Sequence, residues 1–247
     1  PIDMGIACEV EHRGELYPLT ERKIRRGTSN FTKAAAMTRQ EVLTAILTGI
    51  DAVRVLKEQG YRLSAVGEMG IGNTTTSSAV ASVLLQKDPE LVTGAGAGLD
   101  PAGLKRKTEA IRRGIGLHHP DPMDGMEVLQ KVGGFDLAAM AGAFLGGAIY
   151  HVPVVIDGVI AAAAAAAAGR IAPAATDYML AAHVSAEPAS IWLLDLIGVT
   201  PAIQAGLRLG EGTGALALFP LLDMALSIYR DMDTFAEMEI EEYKPLV

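Results

Sequence analysis

The chain has 247 residues with a formal net charge of −8, and half of them are hydrophobic although only 5% are aromatic. The acidic balance argues against a protein that binds nucleic acid non-specifically, since such binding needs clustered cations that displace counterions from phosphates. The abundance of small apolar residues favours a parallel sheet covered by helices, because small side chains allow close helix–strand packing.

The sequence predicts a protein of the cytoplasm that does not enter a membrane. Its first residues, Pro1-Ile2-Asp3-Met4, carry an acid where a signal peptide would carry cations. The longest apolar stretch, residues 152–169, is interrupted by a proline, an acid and a glycine, which favours a strand, a turn and a helix over a membrane span. The single cysteine, Cys8, excludes an internal disulfide, and we expect it to be buried as free cysteines usually are.

In chain order, short β-branched runs alternate with longer helical patterns, as is typical of a doubly wound α/β fold. A first strand is predicted over residues 2–8, and Thr38 with Glu41 forms a capping-box pattern that begins a helix ending near Gly60. The other predicted elements are a strand over residues 63–67, helices over about 76–86 and 101–116, a unit that begins at Phe135, a strand within 152–158, a buried alanine helix over 161–168 facing the sheet, and a last helical region from about Ala215.

Four segments place glycines or acids where predicted strands end or helices begin, at residues 68–75, 93–100, 155–158 and 210–214. In open α/β sheets, ligands bind in the crevice beyond the carboxyl ends of the strands. The glycines in the first segment would let backbone amides approach an anion at the start of a helix, so this loop is a candidate phosphate cradle. It lacks the lysine of a P-loop and the dinucleotide fingerprint, so a structural turn is an equally good interpretation.

Two glutamates, Glu68 and Glu211, stand inside these glycine-framed loops. Burying an unpaired carboxylate is costly, so such a group usually has a partner or a chemical task. Each glutamate is therefore either an acid–base group or an acceptor for loop amides that only holds the turn. Composition alone leaves both interpretations open.

The helix predicted after the second glycine segment is basic. We interpret Lys105, Arg112 and Arg113 as parts of a solvated helix face. The pair His118-His119 follows this helix, but adjacent side chains diverge, so no metal site is predicted there.

Several segments resemble one protein family in the same order along nearly the whole chain. They are RGTSN and AMT (residues 26–30 and 36–38), GEMGIGNTT (67–75), DG (157–158), HVSAE (183–187) and GEGTG (210–214). GEMGIGNTT is the most specific of them. The family that they resemble is the nicotinate-nucleotide–dimethylbenzimidazole phosphoribosyltransferases.

The resemblance implies an enzyme without metal or cofactor. It implies transfer of phosphoribose from nicotinate mononucleotide to 5,6-dimethylbenzimidazole, which gives α-ribazole 5′-phosphate and nicotinate in cobalamin assembly. The implied fold is α/β, a Rossmann-like parallel sheet with helices on both faces plus a small helical subdomain. We place the α/β catalytic domain at residues 1–224 and the helical part at 225–247. The implied partners are small-molecule substrates and a second copy in a homodimer, with neither nucleic acid nor membrane.

The resemblance also implies roles for particular residues. By this resemblance, Glu211 corresponds to the family's general base, and Glu68 corresponds to a second glutamate of the active site. Gly70 and Lys107 correspond to residues that contact the substrate phosphate in the family. The other residues expected to bind the nucleotide are Gly72, Asn73, Thr74, Asp157, Gly158 and Ser185.

One departure from the family concerns the acceptor base. Family members carry about a hundred further residues before the first strand, and that region supplies part of the small domain and much of the benzimidazole pocket. We therefore expect a complete mononucleotide site and an incomplete acceptor site. A protein that binds a mononucleotide without transferring it is the alternative, whereas an NAD-dependent oxidoreductase is disfavoured because the dinucleotide fingerprint is missing.

Overall fold

The computed structural model describes residues 1–10, 19–96 and 98–241. The strands are β1 (Ile2–Asp3), β2 (Thr20–Glu21), β3 (Ser64–Val66), β4 (Val154–Ile156) and β5 (Met179–Ala181). The helices are α1 (Arg39–Glu58), α2 (Thr74–Leu85), α3 (Pro89–Val92), α4 (Pro101–His118), α5 (Gly125–Val132), α6 (Phe135–Tyr150), α7 (Val159–Ile171), α8 (Ser190–Leu196) and α9 (Thr213–Asp231), with a 3₁₀ helix over Pro173–Tyr178. Ala97, in the second predicted glycine segment, and residues 242–247 of the proposed helical part lie outside the described ranges.

The central sheet has the order β3-β4-β5, and both pairings are parallel. Its middle strand, β4, is buried on both faces. Val154 and Ile156 point into the main core, which α2, α6 and α7 share, whereas Val155 packs on the opposite face with Ala215 and Leu218 of α9. The predicted α/β fold, with a parallel sheet and helices on both faces, is therefore confirmed.

Small residues allow a close contact between α1 and α6. A Cβ atom at Gly49 of α1 would lie 1.9 Å from the carbonyl oxygen of Ala139, and one at Gly142 of α6 would lie 2.0 Å from that of Ile46. Because real Cβ atoms do not come so close to a backbone oxygen, only glycine lets the two helices meet at this distance. This packing is one place where the fold requires small residues.

The run of eight alanines forms a helix with every alanine buried, as predicted. Its surroundings differ from the expectation, because α7 packs chiefly against α2, α5 and α6 and has fewer contacts with β4. Alanine is the best helix former and adds little bulk, so a central helix made of it can be surrounded by other helices.

The capping box at the start of α1 is present as predicted. The Thr38 hydroxyl accepts from the Glu41 N–H at 3.2 Å, and the Glu41 carboxylate accepts from the Thr38 N–H at 2.7 Å. Helix α2 begins at Thr74, two residues earlier than expected. The sequence patterns did not predict β2, β5, α3, α5, α8 or the 3₁₀ helix.

The first predicted strand was wrong in length. β1 has two residues and pairs in parallel with β2, in a small sheet separate from the central one. The Asp3 carboxylate accepts from the N–H groups of Gly5 and Ile6, both at 2.9 Å, and so turns the chain directly after the strand. Cys8, which follows this turn, is exposed, so the expectation of a buried thiol was also wrong.

Helix α9 runs unbroken from Thr213 to Asp231, across the domain boundary that we placed after residue 224. Beyond Leu218 it carries exposed apolar side chains, including Leu221, Met224 and Ile228. Within the described ranges, no helix combines the length and the apolar character needed to cross a membrane.

Candidate active site

A cleft of about 610 Å³ opens beyond the carboxyl ends of the three central strands. Its wall is built from residues 68–71, the first two turns of α2, residues 94–96, residues 157–161, residues 183–189 and residues 208–210. The four segments predicted to meet at this edge therefore do so, and the loop after β5 completes the wall.

Glu68 lies in the cleft wall, directly after β3. Its carboxylate accepts from the N–H of Gly70 across a tight turn. Burial raises the pKa of Glu68, the hydrogen bonds from Gly70 and Asn73 oppose this, and the charges of Asp136 and Glu211 add to the increase. Glu68 thus accepts a hydrogen bond that holds its turn, which was one of the two interpretations of this residue. Its carboxylate is also a titratable group in the cleft wall.

Glu211 lies on the loop before α9, whose backbone is left-handed at three successive residues: φ is 83° at Gly210, 59° at Glu211 and 80° at Gly212. Its N–H donates to the carbonyl oxygen of Glu68 at 2.9 Å. The side chain is exposed, and among the described residues no group donates a hydrogen bond to its carboxylate. The interpretation that this carboxylate only holds its turn therefore finds no support in the structure.

Lys107 of α4 reaches the back of the cleft wall. Its ammonium donates to the Thr74 hydroxyl and to the Gly94 carbonyl oxygen, both at 3.0 Å, and only 6% of the residue is exposed. Burial lowers the pKa of Lys107, and the nearby negative charge of Glu187 opposes that effect. Lys107 thus joins the start of α2 to the second glycine segment.

Asp157 follows β4 and binds the start of α9. One carboxylate oxygen accepts from the Gly212 N–H at 3.1 Å and the other from the Ala215 N–H at 3.0 Å. The latter oxygen also lies 3.7 Å from Nε2 of His183. Burial would raise the pKa of Asp157, but His183 and the two amides outweigh it, so the pKa is lowered. The buried carboxylate is therefore ionised and serves as the cap of α9.

The sequence model of a family described as Phosphoribosyltransferase matches residues 1–240. The chain is 46% identical over 245 residues to the nicotinate-nucleotide–dimethylbenzimidazole phosphoribosyltransferase of Clostridium acetobutylicum, which covers 99% of this chain and 68% of that protein. The chain belongs to the nicotinate-nucleotide–dimethylbenzimidazole phosphoribosyltransferase family.

Two further comparisons agree with this family. The phosphoribosyltransferase of the same name from Ruminiclostridium cellulolyticum is 47% identical over 245 residues, again 99% of this chain and 68% of that one. The crystal structure of the family member from Thermus thermophilus superposes with a TM-score of 0.87 at 38% identity, over 98% of this chain and 70% of that one. About a third of each relative thus lies outside the matched region.

In this phosphoribosyltransferase, most of the residues expected at the site line the cleft. They are Glu68, Gly70, Thr74, Asp157, Gly158 and Ser185. Four of the expected residues do not line it: Gly72, Asn73, Lys107 and Glu211. Lys107 lies behind the wall, where it contacts the lining residues Thr74 and Gly94, and Glu211 directly follows the lining residue Gly210. Asn73 is buried, and its amide donates to the Asp136 carboxylate at 2.7 Å, so this side chain supports the loop from beneath.

Three charged or titratable residues of the phosphoribosyltransferase cleft received no role from the sequence: His183, Glu187 and Arg208. The HVSAE segment includes the first two, but β5 was not predicted, so nothing placed this segment at the sheet edge. Arg208 had no sequence signal. Within the described ranges, no group of three or more His, Cys, Asp and Glu side chains could hold a metal ion.

Proposed function

We propose that the chain transfers phosphoribose from nicotinate mononucleotide to 5,6-dimethylbenzimidazole, giving α-ribazole 5′-phosphate and nicotinate for the nucleotide loop of cobalamin. Family membership supports the reaction. The observation that carries it is the joining of two loops at one cleft, the Glu68 loop that leads into α2 and the Glu211 loop that leads into α9. The cleft can thereby hold an anionic donor beside the loop that carries the proposed carboxylate base.

We assign the donor phosphate to the start of α2. A helix start offers free N–H groups and the positive end of a dipole, and Gly70, with φ of 83°, allows close approach of the backbone. Lys107 adds a positive charge there: two of its three protons are donated to Thr74 and Gly94, which leaves one for a phosphate oxygen. A bound phosphate would also favour the ammonium form that burial disfavours.

We assign the acceptor base to an apolar part of the cleft. Met69, Ile71 and Leu209 line the cleft and are 59%, 72% and 72% exposed. Such exposed apolar side chains, beside the loop that carries Glu211, suit a flat apolar bicycle.

The proposed chemistry uses Glu211 as general base. One benzimidazole nitrogen attacks the anomeric carbon, the bond to the nicotinate nitrogen breaks, and its electron pair returns to the pyridine ring. Glu211 accepts the proton from the other benzimidazole nitrogen, and its exposed carboxylate, free of hydrogen bonds from the described residues, is available for this. Glu68, with its raised pKa, is proposed as a second proton-accepting group beside the acceptor.

The direct test is to incubate the purified chain with nicotinate mononucleotide and dimethylbenzimidazole and to separate the products by chromatography with mass detection. We expect equal amounts of nicotinate and α-ribazole 5′-phosphate, with the α configuration established by NMR. Release of nicotinate without the α-ribotide would contradict transfer. Calorimetric binding of the mononucleotide without any product would instead favour the alternative, a mononucleotide-binding protein.

We further propose a homodimer that works in the cytoplasm. The exposed apolar side chains of α9 support self-association, and an exposed, unpaired Cys8 suits a reducing compartment. We also keep the division into an α/β catalytic domain at residues 1–224 and a helical part from 225 as a proposal. Analytical ultracentrifugation would test the dimer, since a monomer at micromolar concentration would contradict it.

A further inference from the structure

Helix α9 receives its cap from a distant part of the chain. Its own N-cap residue, Gly212, has no side chain to accept the first free N–H groups. Asp157, at the end of β4, accepts from Gly212 and Ala215 instead. Since Glu211 directly precedes Gly212, the orientation of the Asp157 carboxylate helps to set where the proposed base lies.

His183 is the side chain that contacts this carboxylate from the loop after β5. Its backbone forms a β-bridge with Ile203, and the hydrogen bond from the Val184 N–H to the Ile203 carbonyl oxygen, 3.1 Å, fixes the chain beside it. The imidazole is 5% exposed, and its Nε2 lies 3.7 Å from the Asp157 carboxylate. The contact with Asp157 raises the pKa of His183 although burial opposes this.

The same imidazole lies against the first turn of α9. A Cβ atom at Gly214 would come within 2.1 Å of His183 Cδ2 and 2.3 Å of its Nε2. The glycine is therefore required for His183 to pack under the helix start. His183 thus touches both the carboxylate that caps α9 and the helix that is capped.

We propose that His183 is a positioning residue for Glu211, which it holds in place by fixing the Asp157 carboxylate against the first amides of α9. The inference rests on the proposed function, because it concerns the base of that reaction. His183 itself takes no proton from substrate in this proposal.

The test compares two variants. His183→Met removes the Nε2 group that faces Asp157 at similar size, and His183→Gln keeps a polar N–H group near the position of Nε2. We expect His183→Met to lower kcat by about tenfold or more, as misplacement of a catalytic group does, while calorimetric binding of nicotinate mononucleotide changes by less than about threefold. His183→Gln should recover much of the lost kcat. His151→Met, at an exposed histidine outside the cleft whose ring contacts Tyr178, is the control and should leave kcat and the affinity for the mononucleotide unchanged.

A double-mutant cycle with Glu211→Gln separates positioning from a general structural role. If His183 acts through Glu211, adding His183→Met to Glu211→Gln should lower the residual turnover by less than about twofold. Multiplication of the two single effects would overturn the proposal, as would a loss of mononucleotide affinity in step with kcat.

If the wild-type chain shows no transfer, that result would count against the proposed function but not against the role of His183. Amide hydrogen exchange can then still test that role. His183→Met should speed exchange of the amides of Gly212 and Ala215 and leave those of α1 unchanged. Unchanged exchange at the start of α9 would show that His183 does not hold this loop.

Discussion

The N–H of Glu211 donates to the carbonyl oxygen of Glu68 at 2.9 Å, although 143 positions separate the two residues in the chain. The contact is possible because Gly67 lies against the opposite loop, where a Cβ atom would come within 2.1 Å of the Gly212 nitrogen. The distance between the two proposed catalytic glutamates therefore depends on backbone packing between two glycine loops, independently of either carboxylate.

Gly67→Ala should push these two loops apart. The new methyl group would meet backbone atoms, which cannot rotate away, so we expect a loss of about 1–3 kcal/mol in the free energy of unfolding and a fall in kcat. Gly116→Ala is the matched control: it lies in α4 with nothing within 4 Å of the added Cβ, and should stabilise the protein by about 0.5–1 kcal/mol. Urea unfolding of both variants checks this, and an equally stable and active Gly67→Ala would contradict it.

Glu211→Gln should lower turnover by about 10²–10⁴-fold, the usual contribution of general-base catalysis. The binding of nicotinate mononucleotide should stay nearly unchanged, because the base acts mainly in the transition state. Steady-state kinetics at saturating substrate and calorimetry measure the two effects. Retention of more than half of the wild-type turnover would exclude Glu211 as the base.

Lys107→Ala should weaken the binding of nicotinate mononucleotide far more than that of the nicotinate riboside, which lacks the phosphate. A lost hydrogen bond between two charged groups is worth about 1.5–3 kcal/mol. Calorimetry with both ligands measures the difference. Lys105→Ala, at an exposed lysine of the same helix, should change neither affinity. Equal weakening of both ligands by Lys107→Ala would show that Lys107 does not bind the phosphate.

The pair of His183 and Asp157 should make stability depend on pH in a particular direction. The pKa of His183 is raised on folding, so its contribution is fully present below the unfolded-state pKa near 6.5 and is lost as the pH rises through the folded-state value. Asp157, whose pKa is lowered, contributes above its ordinary pKa near 3.8 and loses that contribution as the pH falls through the folded-state value. Urea unfolding from pH 5 to 9 should therefore show a loss of stability on the alkaline side that is absent in His183→Met.

The chain alone should bind nicotinate mononucleotide but transfer poorly to dimethylbenzimidazole. Leaving ~50–100 Å² of the acceptor uncovered would cost about 1–2.5 kcal/mol of its binding free energy. The comparison uses three proteins: this chain, the full-length Clostridium acetobutylicum relative, and that relative cut to the 245 residues it shares with this chain. We expect a low KM for dimethylbenzimidazole only in the full-length protein. Equal KM and kcat in all three would show that the matched region is sufficient.

The sequence by itself determined the features that depend on local chemistry. The start of α1 could be predicted from Thr38 and Glu41, because a capping box needs only residues that are close in sequence. The apolar run before Asp157 predicted β4, and the alanine run predicted a buried helix. The order of the glycine loops, through their resemblance to one family, indicated the function, and most of the residues expected at the site from that resemblance line the cleft.

Only the tertiary structure decided how these loops are joined. That Asp157 caps α9, that His183 lies against Asp157, and that Asn73 donates to Asp136 are contacts between residues more than 20 positions apart. Long-range contacts of this kind depend on the packing of the sheet and its helices, which no local pattern encodes. The residues that we propose bind substrate could therefore be named from their motifs, whereas the residues that hold those motifs in place could not.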